Sequence, residues 1–263
     1  MPYPHQAASE KNETAFSFAN LAVAGLGCRG RKATTMTTTL LQTGIYTVPE
    51  ASRLTGVTPW RIRRWVRGYE FKVKHGRHHS PAVWNTQLDQ IDHAMALGFL
   101  DLLEVRCVDA FVTAGVGWKT LRQVHEQARK LVGHAYPFCT NQFATDGQTI
   151  FMEERGKHDE VTLWDMRDLQ RVFERIIQPF LKNVEFDSGH LPHRWWPRGK
   201  NHLVALDPRR SFGQPIVFQD GIPTQVLARS VRANGSLDEV ARWFEIKSAS
   251  VREAVEFEQS LAV

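Results

Sequence analysis

The sequence predicts a mainly α protein with short β-hairpins: a helix-turn-helix with a wing, followed by a second small helical domain. Three observations carry that expectation. Two short helices joined by a Gly turn occupy Val48 to Arg67 with an alternating hairpin behind them, two amphipathic helices lie between Leu100 and Val132, and a capped run of helices ends the chain. The 263 residues, 42% of them hydrophobic, are enough for two or three small domains with cores of their own.

In VPEASRLTGVTPWRIRRWVR the residues Val48, Ala51 and Leu54 recur at helical spacing, and Gly56 supplies the turn. Thr58 is a good N-cap, and Pro59 stands at the first helical position, where its missing N–H costs nothing. Ile62, Val66 and one or both tryptophans hold the second helix against the first, while Trp60, Arg61, Arg63, Arg64 and Arg67 spread over its other faces. Guanidinium groups fork onto guanine edges or clamp phosphates, so this reads as a recognition helix on duplex DNA. Thr58, Trp60, Arg61, Arg63, Arg64 and Arg67 are the candidate contacts, with Arg61 and Arg64 assigned to base readout.

From Tyr69 to Trp84 the chain alternates Tyr69, Phe71 and Val73, turns at Gly76 and returns through Val83 and Trp84, as a wing would. Lys72, Lys74 and Arg77 near its tip are placed to lie along phosphates. His75, His78 and His79 lack the Cys or carboxylate partners of a zinc site, so they read as a solvated or phosphate-facing loop. Charge is local in the same way. Residues 40–80 hold eight Lys/Arg against two Glu, a net +6, the first 39 residues carry +2, and residues 81–263 carry −3. A basic module on a mildly acidic remainder favours nucleic acid on one face and another partner elsewhere.

Leu100 to Ala114 predicts a helix with Leu103, Val105, Val108, Phe111 and Val112 buried, stopped by Gly115-Val116-Gly117. Trp118 to Val132 predicts the next, through Leu121, Val124, Ala128 and Leu131. Asp101 and Glu104 share a face of the earlier helix; with no base or pocket to pair with, they read as a solvated face. The helix pair, the wing and LLEVRCVDAFVTAGVGWKTLRQVHEQARKLVG together resemble a MerR-type winged helix-turn-helix over residues 44–134. In that family an aliphatic helix ends in an A-G-V turn before a basic amphipathic helix. The chain lacks the long dimerising coiled coil and the cysteine pair of the ligand-sensing members.

The first 39 residues read as a disordered tail. GLGCRG at Gly25 to Gly30 spells a dinucleotide fingerprint, but RKATTMTTT follows where an amphipathic helix should receive the pyrophosphate, so it reads as linker. Phe16 to Leu26 before Cys28 resembles a lipoprotein signal, yet Glu10, Glu13 and Asn20 break the pattern. Met36 is a candidate start. Cys28, Cys107 and Cys139 form no C-x-x-C pair or even disulfide framework, which suits a reducing cytoplasm, and no apolar run is long enough to span a bilayer.

Residues 135–193 read as a connecting region, with a strand pair around Asp146-Gly147 and an amphipathic helix from Asp165 to Phe180. His190 and His193 spell H-x-x-H, but the intervening proline denies them a single helical face, so a structural loop is expected there. Residues 194–263 form the second domain. Phe212 to Phe218 predicts a strand and Val226 to Ala233 a helix; Ser236 with Glu239, and Ser250 with Glu253, cap the last two helices. Asp207-Pro208, Gly213/Pro215, Gly221/Pro223, Gly235-Ser236/Glu239/Ala241 and Val251/Ala254/Phe257 resemble a small antitoxin-type domain, although its usual central Gly-Thr-Arg is replaced by Gln219-Asp220-Gly221-Ile222.

The two patterns in this order resemble VapB-like antitoxins. That resemblance implies operator binding, a homodimer, and a PIN-type ribonuclease toxin as partner. A nuclease site that binds metal through carboxylates invites a cationic or aromatic insert, so Arg194, Trp195, Trp196, Arg198, Arg209 and Arg210 are the candidate toxin-facing residues. The alternative for Trp195 and Trp196 is packing between domains. No residue set has the context of a catalytic site, and no cofactor or metal is expected; the alternative function is a MerR-like, ligand-responsive transcriptional regulator with a pocket in the central region.

Overall fold

The computed structural model describes residues 42–73, 76–143 and 173–261. The tail, GLGCRG, Met36, Lys74, the strand pair around Asp146-Gly147 and the first turns of the Asp165–Phe180 helix lie outside the described residues. Helices make up about half of the structure, with short strands between them.

Strand β1 (Tyr46–Thr47) runs directly into helix α1 (Val48–Thr55). A capping box fixes the junction: the Thr47 hydroxyl accepts from the Glu50 N–H at 3.2 Å, and the Glu50 carboxylate accepts from the Thr47 N–H at 2.8 Å. Gly56 ends α1 at φ 75°, a left-handed conformation that a side chain would strain. Helix α2 (Pro59–Arg67) starts on its proline, with Thr58 extended before it but making no side-chain capping bond. Ile62, Trp65 and Val66 turn inward, so Trp65 is the tryptophan that seats the helix, and Trp60 is left 55% exposed.

Strands β2 (Tyr69–Val73) and β3 (Gly76–Ser80) form an antiparallel hairpin with Tyr69 opposite Ser80 and Val73 opposite Gly76. The chain returns over α2, where the Val83 N–H donates to the Trp65 carbonyl at 2.7 Å, and β4 (Ala96–Leu97) pairs with β1. Helices α3 (Phe99–Thr113) and α4 (Trp118–Val132) follow, with Leu103, Val105, Val108, Phe111, Leu121, Val124 and Ala128 buried as their periodicity predicts. Leu131 departs from that pattern and is exposed, while Val112 is half-buried.

Asp101 and Glu104 require a correction, because both are buried rather than solvated. The reason is that each satisfies loop backbone that has no helix or sheet partner. Asp101 accepts from Trp84 Nε1 (2.9 Å), the Gln87 N–H (3.0 Å) and the Gly98 N–H (2.7 Å). Glu104 accepts from the Phe138 and Cys139 N–H groups at 3.2 and 3.1 Å and lies 2.9 Å from Nε2 of buried His125. Burial raises the Asp101 carboxyl to about 6, against the hydrogen bonds that favour its charge. Burial also pushes the Cys107 and Cys139 thiols up, and both are free.

A π-helical turn at Phe173–Ile177 and the short α5 (Gln178–Leu181) lead into an antiparallel five-stranded meander. Its strands are β5 (Val184–Phe186), β6 (Pro192–Trp195), β7 (Val204–Leu206), β8 (Pro215–Val217) and β9 (Ile222–Pro223). The boundary expected between residues 193 and 194 therefore falls inside β6. The strand expected over Phe212 to Phe218 is shorter, because Ser211–Gly213 turns with Phe212 at φ 54°. Helices α6 (Thr224–Asn234), α7 (Leu237–Trp243) and α8 (Ser248–Ser260) complete the chain. Ser236 caps α7 by accepting from the Glu239 N–H at 3.3 Å. The cap expected at Ser250 is a second correction: α8 already begins at Ser248, and Ser250 is buried inside it.

Val217, Leu227, Val240, Ala241, Val251 and Ala254 form a small core of their own, whereas Phe257 joins the large core built on α1 to α4. The two ends of the molecule are bonded directly. Tyr46 donates its hydroxyl to the Gly213 carbonyl at 2.7 Å, the Ile45 N–H donates to the Phe212 carbonyl at 3.0 Å, and Arg53 pairs with Glu258 at 3.0 Å.

Candidate nucleic-acid interface

The β2–β3 hairpin, the candidate wing, follows α2 directly and is joined to it where Arg64 lies over Tyr69, and both elements carry exposed cations. Arg63 and Arg67 are exposed on α2 and have no ion-pair partner among the described residues. Lys72 is exposed on the wing, and Arg77 lies 3.6 Å from Glu70 across it with both side chains largely in solvent. A surface pair of that kind contributes little to stability and gives way readily to a phosphate.

Arg61 and Arg64 are held within the protein. Arg61 Nη1 lies 3.0 Å from Asp109 Oδ1, and its guanidinium also sits 5.3 Å over the Trp65 ring. That carboxylate oxygen makes no aligned hydrogen bond, so the Arg61 contact is Coulombic attraction rather than a bidentate fork. The Arg64 guanidinium stacks 3.5 Å over Tyr69 and 5.0 Å over Trp60, bridging α2 to the first strand of the wing. Burial would raise the Tyr69 pKa, but hydrogen bonds from Arg64 and Ser80 and the charges of Arg64 and Arg122 lower it. Arg122 braces the same end of the wing from its second strand, through Ser80 Oγ at 3.0 Å and the Pro81 carbonyl. Asp109 and Arg122 lie far along the chain from α2 and match no spacing rule; only the folded contact reveals them.

Of the candidate toxin-facing residues, Arg194 and Trp195 lie in β6, and the other four lie in the turns that flank the strands. Trp195 is 2% exposed and packs edge-on against Phe180. Arg194 bridges Glu185 at 2.6 Å and Asp207 at 3.2 Å, with its guanidinium 4.0 Å over Phe218. Trp196 donates Nε1 to Glu185 at 2.8 Å, and Arg198 pairs with Glu253 at 3.2 Å and Glu256 at 3.5 Å. Arg210 donates to the Phe218 carbonyl at 2.8 Å, and Arg209 is exposed beside it. Of the two histidines of the H-x-x-H, His190 sits in a turn at φ 63° and His193 lies 3.6 Å from Glu185. Among the described residues no group of three or more His, Cys, Asp or Glu side chains is placed to hold a metal, and no helix is long and apolar enough to cross a membrane.

No family model matches the chain. It is similar to a protein of Mycobacterium tuberculosis (strain ATCC 25618 / H37Rv) named "Putative antitoxin VapB45", with 26% identity over 226 residues, 81% of this chain and 92% of that one. The fold is similar to the X-ray crystal structure of Rv2018 from Mycobacterium tuberculosis, with a TM-score of 0.64 and 22% identity, covering 80% of this chain and 96% of that one. The first likeness supports the antitoxin resemblance, and the second shows the fold alone.

Proposed function

We propose that this protein is the antitoxin of a type II toxin–antitoxin system, binding operator DNA and neutralising a PIN-type ribonuclease toxin. The observation that carries the reading is the likeness to a protein named as an antitoxin over 81% of this chain and 92% of that one. The exposed cationic face of α2 and the wing supports the DNA-binding half. In this reading the N-terminal module acts as a MerR-type winged helix-turn-helix. Arg63 and Arg67 make the first contacts; Arg61 and Arg64 read bases once released from Asp109 and from the Trp60–Tyr69 stack; Lys72, Lys74 and Arg77 clamp phosphates, and Thr58 and Trp60 meet the strand at the helix start. The toxin is met by Trp196, Arg198, Arg209 and Arg210, with Arg194 and Trp195 holding that surface from beneath. The protein works without catalysis or cofactor, as a cytoplasmic homodimer.

Two measurements on the full chain test it. It should shift a duplex of its own promoter at salt concentrations where random duplex is free, and co-expression should restore growth to cells making the neighbouring nuclease. Equal affinity for both duplexes refutes the operator half; unrelieved toxicity refutes the neutralising half.

A second reading, a ligand-responsive regulator, is favoured by one observation: a cleft of about 650 Å³ between α3 and the segment from Arg175 to Asn183, closed below by Trp195.

A further inference from the structure

That cleft has the volume of a small-molecule site, in the range of several hundred Å³. Its lining includes Ile177, Phe180 and Trp195, and its described charged groups are Arg106, Arg175 and Asp109. Arg106, from α3, opens onto the space and spends one N–H on the Thr55 carbonyl at 3.1 Å. The rest of its guanidinium lies against aromatic faces, 5.2 Å from the Phe180 ring centre and 5.8 Å from that of Trp195. Enough protein surrounds it that burial lowers its pKa, against the raising charges of Cys107 and Asp109. Arg175, in the π-helical turn Phe173–Ile177, is an exposed part of the lining and has no ion-pair partner among the described residues. Among the described residues the carboxylate in the lining is Asp109, and Arg61 engages it from outside the cleft.

A pocket with two guanidiniums in its lining, one of them against the faces of Phe180 and Trp195, and with its described carboxylate drawn to Arg61, is complementary to a negative group on a flat apolar body. We propose that this cleft binds a small organic anion, an aromatic carboxylate in chemical class, with its carboxylate on Arg106 and Arg175 and its ring against Phe180 and Trp195. The site stands on its own contacts and holds whether or not the toxin–antitoxin reading does. Because Asp109 borders the cleft and also holds Arg61 of α2, an anion bound at Arg106 adds negative charge beside that carboxylate, and the occupied and empty states differ at the candidate DNA face.

Calorimetric titration of the full-length protein with 2-naphthoate, and with the neutral 2-naphthamide, tests the assignment. Saturable one-to-one binding of the carboxylate is expected, with the amide at least about tenfold weaker, since a charge-assisted hydrogen bond is worth about 1.5–3 kcal/mol. Arg106→Gln should weaken 2-naphthoate by at least about tenfold. Arg175→Gln, at an exposed side chain without an ion-pair partner among the described residues, should weaken it measurably with an unchanged melting temperature, which keeps the test decisive if the first variant folds poorly. Equal binding of acid and amide, or full affinity in both variants, overturns the proposal. Failure of 2-naphthoate to bind overturns it too, and if Arg175→Gln then breaks a complex with the co-expressed nuclease, the cleft belongs to a carboxylate of that partner.

Discussion

The helix α2 and the passage from Arg194 to Arg210 use the same residue types, arginine beside tryptophan, and the fold treats them in opposite ways. On α2 no acid lies within the helix, and Arg63, Arg67 and Trp60 stay in solvent. In the sheet, Glu185 and Asp207 from neighbouring strands close on Arg194, and Trp195 is the floor of the large core. The difference lies in where the carboxylates fall. An arginine met by acids across a sheet register becomes structural, whereas one on a helix face without acids keeps its donors for a partner.

The largest effect expected from this contrast is at Trp195. Replacing it with alanine removes a buried indole and leaves a cavity beside Phe180 and Arg106, a change that costs about 3–5 kcal/mol. Urea denaturation should show the midpoint falling accordingly; a loss under about 1 kcal/mol would mean that the ring is not core and would return it to the surface.

Acids without a cation offer the next test. Asp101 accepts from the N–H groups of Trp84, Gln87 and Gly98, and its carboxyl is raised from 3.8 to about 6, chiefly by burial. The folded state therefore holds a proton that the unfolded chain has already lost between pH 4 and 6, so the stability linked to this group is full below that window and declines through it as pH rises. The slope is up to about 1.4 kcal/mol per pH unit. Carboxyl-detected NMR should find one Asp titrating near pH 6, and a midpoint near 4 would refute the assignment.

The local elements of the N-terminal module were legible because their signals are short in range. A capping threonine three residues before Glu50, a glycine in the turn, a proline at a helix start and period-2 alternation in the wing all act within a few residues. The reading failed where meaning depends on a distant partner. Asp101 and Glu104 looked like a solvated face because the loops they satisfy, at Trp84–Gly98 and Phe138–Cys139, are separated from them by turns that no periodicity marks. The assignment of Arg61 and Arg64 to base readout likewise could not anticipate Asp109, or a tyrosine ring of the wing beneath Arg64. At the C-terminal end, a one-turn error in the start of α8 hid the real work of Glu253, which pairs with Arg198 and lies 2.7 Å from His202.

If α2 keeps its donors for phosphates, then the double variant Arg63→Ala/Arg67→Ala should lower the slope of log affinity against log salt by about two, with stability changed by less than about 0.5 kcal/mol. Fluorescence anisotropy across a salt series measures the slope. An unchanged slope would mean that these exposed guanidiniums do not meet the duplex and that the cationic face serves another partner.

The smallest effect belongs to the tryptophan that most directly mirrors Trp195. Trp60 is 55% exposed, and the Arg64 guanidinium lies 5.0 Å over its ring. Trp60→Ala therefore opens no cavity, and it forfeits a cation–π contact worth about 0.5–1 kcal/mol at an exposed site. Arg64 keeps its closer stack on Tyr69, at 3.5 Å, so the wing stays tethered to α2 and the loss of stability should fall at the lower end of that range. Binding should respond differently. With one wall of its sandwich gone, the Arg64 side chain gains freedom that must be lost again on meeting a base, so promoter affinity should drop by a few-fold while random duplex is affected less. A stability loss comparable to that of Trp195→Ala would show that the two tryptophans are not the opposites their environments make them.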